Sequence, residues 1–189
     1  MPAIMRPFMR DAETERLRLR RWSRDDAAGL AEVNADPEVV SFLNDGVPLT
    51  VVETRLVSDR VLEHWETFHF GLWAVEEKRS GQLLGFAGVC HPLWFPEWES
   101  AVEVGWRLRR DAWGHGYATE AGRAALDAGL EERGLKEIVA FVHPDNNRSA
   151  AVARRLGMSV EQRVRHPVRP HDLDVYVIRR REVADASHP

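Results

Sequence analysis

The alternation of apolar and polar residues predicts most of the strands. The first strand, over 16–22, has leucines at alternate positions, which places them on one face. The period is again two from residue 68, and after the turn at Ser80-Gly81 an apolar run over 83–90 returns as the second strand of a hairpin. Further strands are predicted over 101–108, 137–142, 158–166 and 172–181.

Between the strands, apolar residues recur at helical spacing. Thr50 is expected to cap a long helix in which Val57, Val61 and Trp65 lie at four-residue steps and share a face. Ser23 is expected to cap an earlier helix. The remaining predicted helices run over 37–42, 116–132 and 147–156. The resulting order β, α, α, α, β, β, β, α, β, α, β, β predicts a single α+β domain built around one mixed sheet.

Length and charge narrow the class of protein. The chain of 189 residues suits one domain, and its net charge of -4 argues against a nucleic-acid partner. No apolar run reaches the roughly 18 residues of a membrane span. Residues 1–10 lack the apolar core of a secretory signal, so we expect a cytoplasmic protein with no membrane partner. We expect a flexible leader over 1–14, the domain over 15–183 and a tail over 184–189.

A glycine turn is the most informative segment of the chain. Gly114 and Gly116 lie at the start of the predicted helix 116–132, shortly after a predicted strand. The first N–H groups of a helix lack intrahelical partners, and with the helix dipole they form a phosphate site that needs no cation. The dinucleotide fingerprint fits poorly, because Thr119 stands where a third glycine or alanine is needed. A turn needed only for chain direction is the structural alternative.

Four segments, in a fixed order, carry a family resemblance. They are Glu-Arg-Leu-Arg-Leu-Arg over 15–20, Val-Glu-Val-Gly-Trp-Arg-Leu over 102–108, Trp-Gly-His-Gly-Tyr-Ala-Thr-Glu-Ala over 113–121, and Asn-Asn-Arg-Ser over 146–149 followed by Arg-Leu-Gly-Met over 155–158. With these segments the chain resembles the GNAT superfamily of acetyl-CoA-dependent N-acetyltransferases. It is most similar to the RimJ/RimL branch, which acetylates protein N-termini and related amines. The resemblance extends over roughly residues 15 to 181 and so covers the domain.

The resemblance implies both a fold and a reaction. The fold is a GNAT-like domain with a mixed, mostly antiparallel sheet of about seven strands flanked by helices. The reaction uses acetyl-CoA as cosubstrate and an amine as acceptor, with direct transfer in a ternary complex. An acyl-CoA-binding or sensing module without turnover is the alternative, and a dinucleotide-binding oxidoreductase is a third hypothesis. The aromatic loop 94–99 either walls the acceptor pocket or forms a contact in a homodimer.

The cosubstrate is expected at the glycine turn. The backbone N–H groups of residues 115–118 are predicted to bind the diphosphate of acetyl-CoA. Arg109 and Arg110 either meet its adenosine phosphate or are ordinary charges at a strand end. In the family the residue at Asn146 approaches the pantetheine arm, although here it could instead only cap a helix. The full predicted set is Arg109, Arg110, Trp113, Gly114, His115, Gly116, Tyr117, Ala118, Thr119 and Asn146.

Glu103 is the candidate general base. By the two-residue period, Glu103, Gly105 and Arg107 share one face of a predicted central strand, which places a carboxylate among small neighbours. Burial there would raise the pKa of the carboxyl toward the range that a base needs. The competing explanation is that Glu103 only forms an ion pair with Arg107 or lines a solvated face.

Ser149 is the second candidate catalytic residue, near the departing thiolate, or else an ordinary polar residue in the first turn of a helix. The tyrosine that the superfamily often uses as a general acid is missing there, since the chain has only Tyr117 and Tyr176. A covalent route through Cys90 and His91 is the rival mechanism, but neighbouring strand residues point to opposite faces. The eight histidines show no metal-ligand pattern, so no metal is predicted.

Overall fold

The computed structural model describes residues 9–180, which fold around one sheet of eight strands. The strands are β1 Ala12–Glu13, β2 Leu17–Arg21, β3 Leu72–Glu77, β4 Leu83–Cys90, β5 Glu103–Leu108, β6 Glu137–Val142, β7 Ser159–Arg165 and β8 Asp172–Arg179. The helices are α1 Asp26–Ala35, α2 Pro37–Val40, α3 Val51–Phe68, α4 Tyr117–Asp127 and α5 Asn147–Arg155. The predicted α+β class, with helices flanking a mixed sheet, is confirmed.

The eighth strand comes from the segment that the sequence assigns to the leader. β1 pairs with β2 at two positions and forms one edge of the sheet, and Met9 before it is buried. A strand of two residues is too short to show a period, which is why the hydrophobic pattern misses it. Residues 1–8 and the predicted tail 184–189 lie outside the described residues.

The sheet contains a single parallel pair within the described residues. The strand order is β1-β2-β3-β4-β5-β6-β8-β7, and all neighbours are antiparallel except β5 and β6. A parallel pair needs a crossover connection, and here α4 supplies it. The glycine turn therefore lies where the chain leaves β5 to cross over the sheet.

Different helices cover the two faces of the sheet. On one face lies the α4 side, where Ile138 Cδ1 is 2.6 Å from the position that a Cβ on Gly129 would take. On the other face lie α1 and α3. There Trp22 packs edge-on against Phe86 of β4, and its Nε1 donates to the hydroxyl of Ser58 on α3 at 2.7 Å. The sheet is thus the middle of three layers.

Two helix starts show where sequence signals succeed and fail. Thr50 caps α3, as predicted, and together with Glu53 it forms the reciprocal bonds of a capping box. Ser23 does not cap α1. Its N–H and hydroxyl donate to Asp26 Oδ2 at 2.7 and 3.1 Å, while Asp25 occupies the cap position without a side-chain bond. The prediction for Ser23 is therefore wrong, because its hydroxyl donates to the Asp26 carboxylate and accepts no hydrogen bond from an N–H of the first turn.

The predicted helix over 116–132 is present but changes pitch. α4 ends at Asp127, and Ala128–Glu132 continues as a wider π-helical turn. Gly134, with a φ of 72°, then ends the helix in the left-handed region, as expected. Within residues 9–180, no helix combines the length and the apolar character that crossing a membrane requires.

Candidate active site

The parallel strands β5 and β6 pair only near their amino ends within the described residues. Glu103 pairs with Val139, whose N–H donates to the carbonyl of Val102 at 2.9 Å. The loop after β5 and the helix after β6 meet beyond this point, where the Arg148 guanidinium lies 4.8 Å from the Trp113 ring. The carboxyl ends of parallel strands in an open sheet are a common place for a ligand.

The glycine turn presents backbone amides at the N-terminus of α4. Gly114 and Gly116 have φ of 80° and 82°, in the left-handed region that glycine favours. Gly116 occupies the N-cap position, and no side chain of the described chain caps the helix. A Cβ at Gly114 would meet no atom within 4 Å, so the turn is open on that side. Amides without caps, with space above them, fit the diphosphate of a coenzyme A derivative.

Side chains from distant segments hold this turn in place. Arg16 Nη1 donates to the carbonyl of His115 at 2.8 Å, and its Nε donates to Glu120 at 2.7 Å. Trp113 Nε1 donates to the carbonyl of Leu108 at 2.9 Å. Sequence reasoning missed the roles of Arg16 and Glu120. They lie in two of the resemblance segments but 104 positions apart, so no local spacing links them.

The predicted phosphate-binding cations are engaged with carboxylates. Arg109 Nε lies 2.6 Å from Asp111 Oδ1, and Arg110 Nε lies 3.3 Å from Asp36 Oδ2. Such pairing is what ordinary charges at a strand end show, so a phosphate role for both arginines stays a prediction. Arg148, which contacts the aromatic ring of the loop, is a further cation at this site that sequence reasoning did not name.

The first turn of α4 is anchored to the hairpin of β3 and β4. The Tyr117 hydroxyl donates to Glu77 Oε1 at 2.6 Å, and this bond raises the pKa of the phenol. Ala118 and Thr119 follow it and are half-buried. Tyr117 therefore positions the turn and is not free to serve as a general acid.

Asn146 and Ser149 form the cap of α5. Asn146 Oδ1 accepts a hydrogen bond from the Ser149 N–H at 3.1 Å, which satisfies one orphan donor of the first turn. The capping alternative for Asn146 is therefore present in the structure. The remaining tyrosine, Tyr176, is buried in the core. Roles for Asn146 at the pantetheine arm and for Ser149 at the thiolate stay predictions.

Glu103 begins β5 and is half-buried, paired in register with Cys90 of β4. Its Oε2 accepts a hydrogen bond from Trp94 Nε1 at 3.3 Å. Removal from water raises the pKa of Glu103 to about 7, and the Trp94 donor offsets only part of that rise. A carboxyl group with this pKa is about half ionised at neutral pH, which suits a general base.

Arg107 does not neutralise Glu103. Its Nη1 donates to Asn34 Oδ1 at 2.8 Å, and its guanidinium lies 5.2 Å from the centre of the Phe86 ring. In the part of the chain that the structure describes, Glu103 forms no salt bridge with any cation. The ion-pair explanation for Glu103 is therefore wrong, and its role as the base remains a prediction.

The aromatic loop before β5 covers the neighbouring part of the same face. Its three large rings pack against Phe141 of β6 with centroid separations of 5.3 to 5.4 Å; they are Trp94, Phe95 and Trp98. Trp94 also stacks on His166 at 5.2 Å and is 43% exposed. This arrangement agrees with an aromatic wall beside the candidate base, while a role in a homodimer stays a prediction.

Cys90 and His91 do not form a nucleophile and base. His91 Nδ1 lies 2.7 Å from the carbonyl of Ala101 and so is occupied by the main chain. Burial, and to a smaller extent the charge of Glu103, raise the pKa of the Cys90 thiol well above its usual value. A thiol in this setting supplies little thiolate for covalent chemistry.

Three histidines gather at the outer end of the aromatic wall. The rings of His143 and His166 lie 4.8 and 4.9 Å from the ring of His171. Desolvation lowers the pKa of His166 and of His171. Across residues 9–180, no group of three or more potential ligand side chains is arranged to hold a metal ion.

Comparisons with known proteins agree with this geometry. Residues 16–159 match the family described as the acetyltransferase (GNAT) domain. The YkkB protein of Bacillus subtilis (strain 168) is 31% identical over 161 residues, which cover 80% of this chain and 87% of YkkB. The acetyltransferase structure from Agrobacterium tumefaciens str. C58 has a TM-score of 0.75 and 32% identity, covering 89% of this chain and 93% of its own. The RimL ribosomal L7/L12 alpha-N-protein acetyltransferase, solved with coenzyme A, has a TM-score of 0.70 at 19% identity, covering 88% of this chain and 95% of its own, a likeness of fold alone.

Proposed function

The chain belongs to the GNAT family of acetyltransferases, and from that premise we propose that it transfers an acetyl group from acetyl-CoA to a primary amine directly, in a ternary complex. Membership of the family shows that the chain is an acetyl-CoA-dependent N-acetyltransferase. The class of acceptor, the order of the chemical steps and the catalytic residues are what we propose. One observation carries it: Glu103, a half-buried carboxylate without a cation partner in the described residues, lies where β5 and β6 begin to separate.

When bound, acetyl-CoA supplies an acetyl group activated as a thioester. The N–H groups at the start of α4 would hold its diphosphate, since the helix dipole favours an anion there. β5 runs from Glu103 at the base of the gap to Leu108 just before the glycine turn. Five steps along a strand span about 16 Å. An extended arm held at the turn can therefore reach the carboxylate along the gap between the strands.

Glu103 would remove a proton from the attacking amine. A protein α-amine has a reference pKa of about 7.7–8.0, close to the pKa of about 7 for Glu103. Proton transfer between the two is therefore nearly balanced at neutral pH, either directly or through one water. The neutral nitrogen forms the new C–N bond, the C–S bond breaks, and the sulfur leaves as a thiolate, near which we place Ser149.

The surroundings of Cys90 support direct transfer over a covalent route. An acyl-enzyme on Cys90 would need a thiolate, and both burial and the neighbouring Glu103 charge disfavour that form. His91 follows Cys90 directly, so the two side chains point to opposite faces, and the bond from its Nδ1 to the main chain holds the ring there. The amine therefore attacks the thioester itself.

An acceptor screen with labelled acetyl-CoA tests the proposal. The purified chain is incubated with N-terminal peptides and small primary amines, and thiol release and label on each amine are followed together. Equal amounts of thiol and labelled product are expected for the accepted amines. Stabilisation by coenzyme A with no thiol release from any amine would favour a binding module instead. Label that stays on the unfolded chain after acetyl-CoA alone would contradict direct transfer.

A further inference from the structure

On the face of β5 that carries the candidate base, open space at a glycine separates a carboxylate from a guanidinium, and we call this stretch from Glu103 to Arg107 the trough. Glu103, Gly105 and Arg107 alternate onto this face, and a Cβ on Gly105 would meet no atom within 4 Å. The space above Gly105 is therefore open. The Cα atoms of Glu103 and Arg107 are four strand steps apart, or about 13 Å. A carboxylate lies at one end of this trough and a guanidinium at the other.

The Arg107 guanidinium is held by two successive buried hydrogen bonds between side chains. Arg107 Nη1 donates to Asn34 Oδ1, and Asn34 Nδ2 donates to Thr54 Oγ1 at 3.1 Å. Both Asn34 and Thr54 are fully buried. With its amide nitrogen committed to Thr54, Asn34 presents only its oxygen to the arginine. α1 and α3 thus fix the direction in which Arg107 points.

Arg107 lacks the carboxylate that such a group normally has. Its Nε is buried without a hydrogen-bond partner, and no acidic side chain within residues 9–180 forms a salt bridge with it. Desolvation lowers the pKa of Arg107 to about 10, so the group is still charged at neutral pH. By contrast, Arg20 and Arg179 each contact two carboxylates.

A desolvated cation with an unsatisfied donor is costly unless something anionic reaches it. The ring of Phe86 compensates in part, since it lies 5.2 Å from the guanidinium. Gly105, two positions from Arg107 on the same face, has open space around the place of its missing Cβ, and this is the side from which a ligand would approach the guanidinium. Carboxylates are the partners that a guanidinium fork binds best, because two parallel bonds can form.

We propose that Arg107 binds a carboxylate of the acceptor, so that the substrate is an amine that carries an acidic group several bonds away. This inference depends on the proposed function, because Glu103 is taken to receive the amine. The separation of about 13 Å corresponds to three or four extended residues at about 3.3–3.6 Å each. A short peptide fits, with its N-terminus at Glu103 and an acidic side chain or C-terminus at Arg107.

A length series of glycine peptides tests this assignment. Peptides of two to four residues, each as the free acid and as the C-terminal amide, are compared by kcat/KM at about pH 9, where peptide α-amines are largely neutral. We expect kcat/KM of the acid to exceed that of the amide about tenfold or more at three or four residues, and by little at two. Equal rates for acid and amide at every length would overturn the proposal.

Two variants separate recognition from folding. Arg107→Met should bring the ratio of acid to amide near one while the amide rate changes little. Asn34→Asp keeps Arg107 but gives it an internal carboxylate, and should lower the ratio in the same way. Arg163→Met removes an exposed arginine paired with Asp174 at the sheet edge, and should leave the ratio unchanged. Equal losses for acid and amide in Arg107→Met would show a purely structural role.

A measurement of peptide binding tests the carboxylate site independently of catalysis. With coenzyme A present, the four-residue free acid should raise the Tm of the wild type more than its amide does, and this difference should vanish in Arg107→Met. If no peptide is acetylated but the difference is seen, the carboxylate site stands and transfer to peptide amines fails. If the difference is absent, or if Arg107→Met weakens acetyl-CoA binding instead, the carboxylate site is refuted.

Discussion

At the scale of single residues, the partners of a carboxylate decide its chemistry here. Glu103 and Asp26 both lose water on folding, and in each case desolvation is the largest influence on the pKa. Glu103 has only the weak donor Trp94, so its pKa rises. Asp26 accepts bonds from Arg20 and Ser23 that outweigh burial, so its pKa falls. The first is suited to exchange protons, and the second stays ionised.

The first prediction concerns Glu103→Gln. The amide cannot accept a proton, so kcat should fall about 100-fold, within the range usual for general bases. Affinity for acetyl-CoA should be unchanged, because the glycine turn lies at the other end of β5. In the wild type, kcat/KM should rise with pH through about 7 as the carboxyl ionises. This limb of the pH profile, the rise near pH 7, should be absent in the variant, whose kcat/KM should then depend on pH only through the ionisation of the amine.

Glu131→Gln is the matched control for this change. Glu131 is exposed in the π-helical turn after α4, away from β5 and the aromatic loop. Its loss should leave both kcat and the pH limb near 7 in place. An unaltered rate in Glu103→Gln, or a limb that persists in it, would remove Glu103 from the role of base.

At the scale of elements, the two helices that follow β5 and β6 begin in opposite ways. α5 is capped by Asn146, which satisfies an amide of its own first turn. α4 begins at Gly116 without a side-chain cap. Only the second arrangement leaves amides for an external anion. The contrast explains why the diphosphate is assigned to α4, while α5 contributes the neighbouring wall with Arg148.

The second prediction tests that assignment with Gly116→Ala. The added Cβ disfavours the left-handed φ of 82°, so the turn and its N–H groups should shift. We expect the Kd for acetyl-CoA to rise about tenfold, measured by calorimetry. Gly81→Ala is the control, because Gly81 has a φ of 71° and open space but lies in the β3–β4 turn. Both variants should lose similar stability, about 1 kcal/mol.

An equal Kd for acetyl-CoA in Gly116→Ala and Gly81→Ala would contradict the assignment. The two glycines have nearly the same φ, in the left-handed region, so an added Cβ strains both positions in the same way. Any difference in ligand affinity then reports position in the fold and not the general cost of a strained residue.

At the scale of the whole molecule, a charged cluster joins the sheet to the helical layer. Arg20 of β2 contacts both oxygens of Asp26 on α1 at 2.8 and 2.6 Å, and its Nε contacts Glu76 of β3 at 2.9 Å. Asp26 is buried, so its charge depends on this partner. The cluster fixes how α1 lies on the sheet, and α1 in turn places Asn34 within hydrogen-bond distance of Arg107.

The third prediction is that Asp26→Asn destabilises the fold by about 2 kcal/mol at pH 7, because it leaves a partly buried guanidinium short of a charge. The pKa of Asp26 lies below its ordinary value of 3.8, so the folded state resists protonation. Stability from this group is present above about pH 4 and is lost as the pH falls through the folded pKa. The difference between variant and wild type should therefore shrink in acid.

Urea unfolding at pH 7 and at low pH measures the effect. Glu13→Gln is the control, since Glu13 pairs with Lys78 at an exposed position, where water screens the pair, and its loss should leave the stability of the fold nearly unchanged. An Asp26→Asn variant that matches this control at pH 7 would show that the cluster contributes little to the fold.

The sequence by itself determined the features that depend on local spacing. Alternation and helical periodicity placed the strands β2 to β8 and the helices within a few residues, because side-chain direction repeats along each element. Glycines at 114 and 116 predicted the anion site, since a positive φ is a property of single residues. The strand period also put Glu103, Gly105 and Arg107 on one face.

The tertiary structure alone decided which distant groups meet. Arg107 contacts Asn34 from 73 positions away, and Arg16 reaches Glu120 from 104 positions away. These contacts depend on the strand register and on how the helices lie on the sheet, and neither of these produces a periodic pattern in the sequence. The same packing removes water from Glu103 and denies it a cation. The sequence therefore names the candidate base, and only the fold gives its carboxyl group the pKa of about 7 that the proposed role requires.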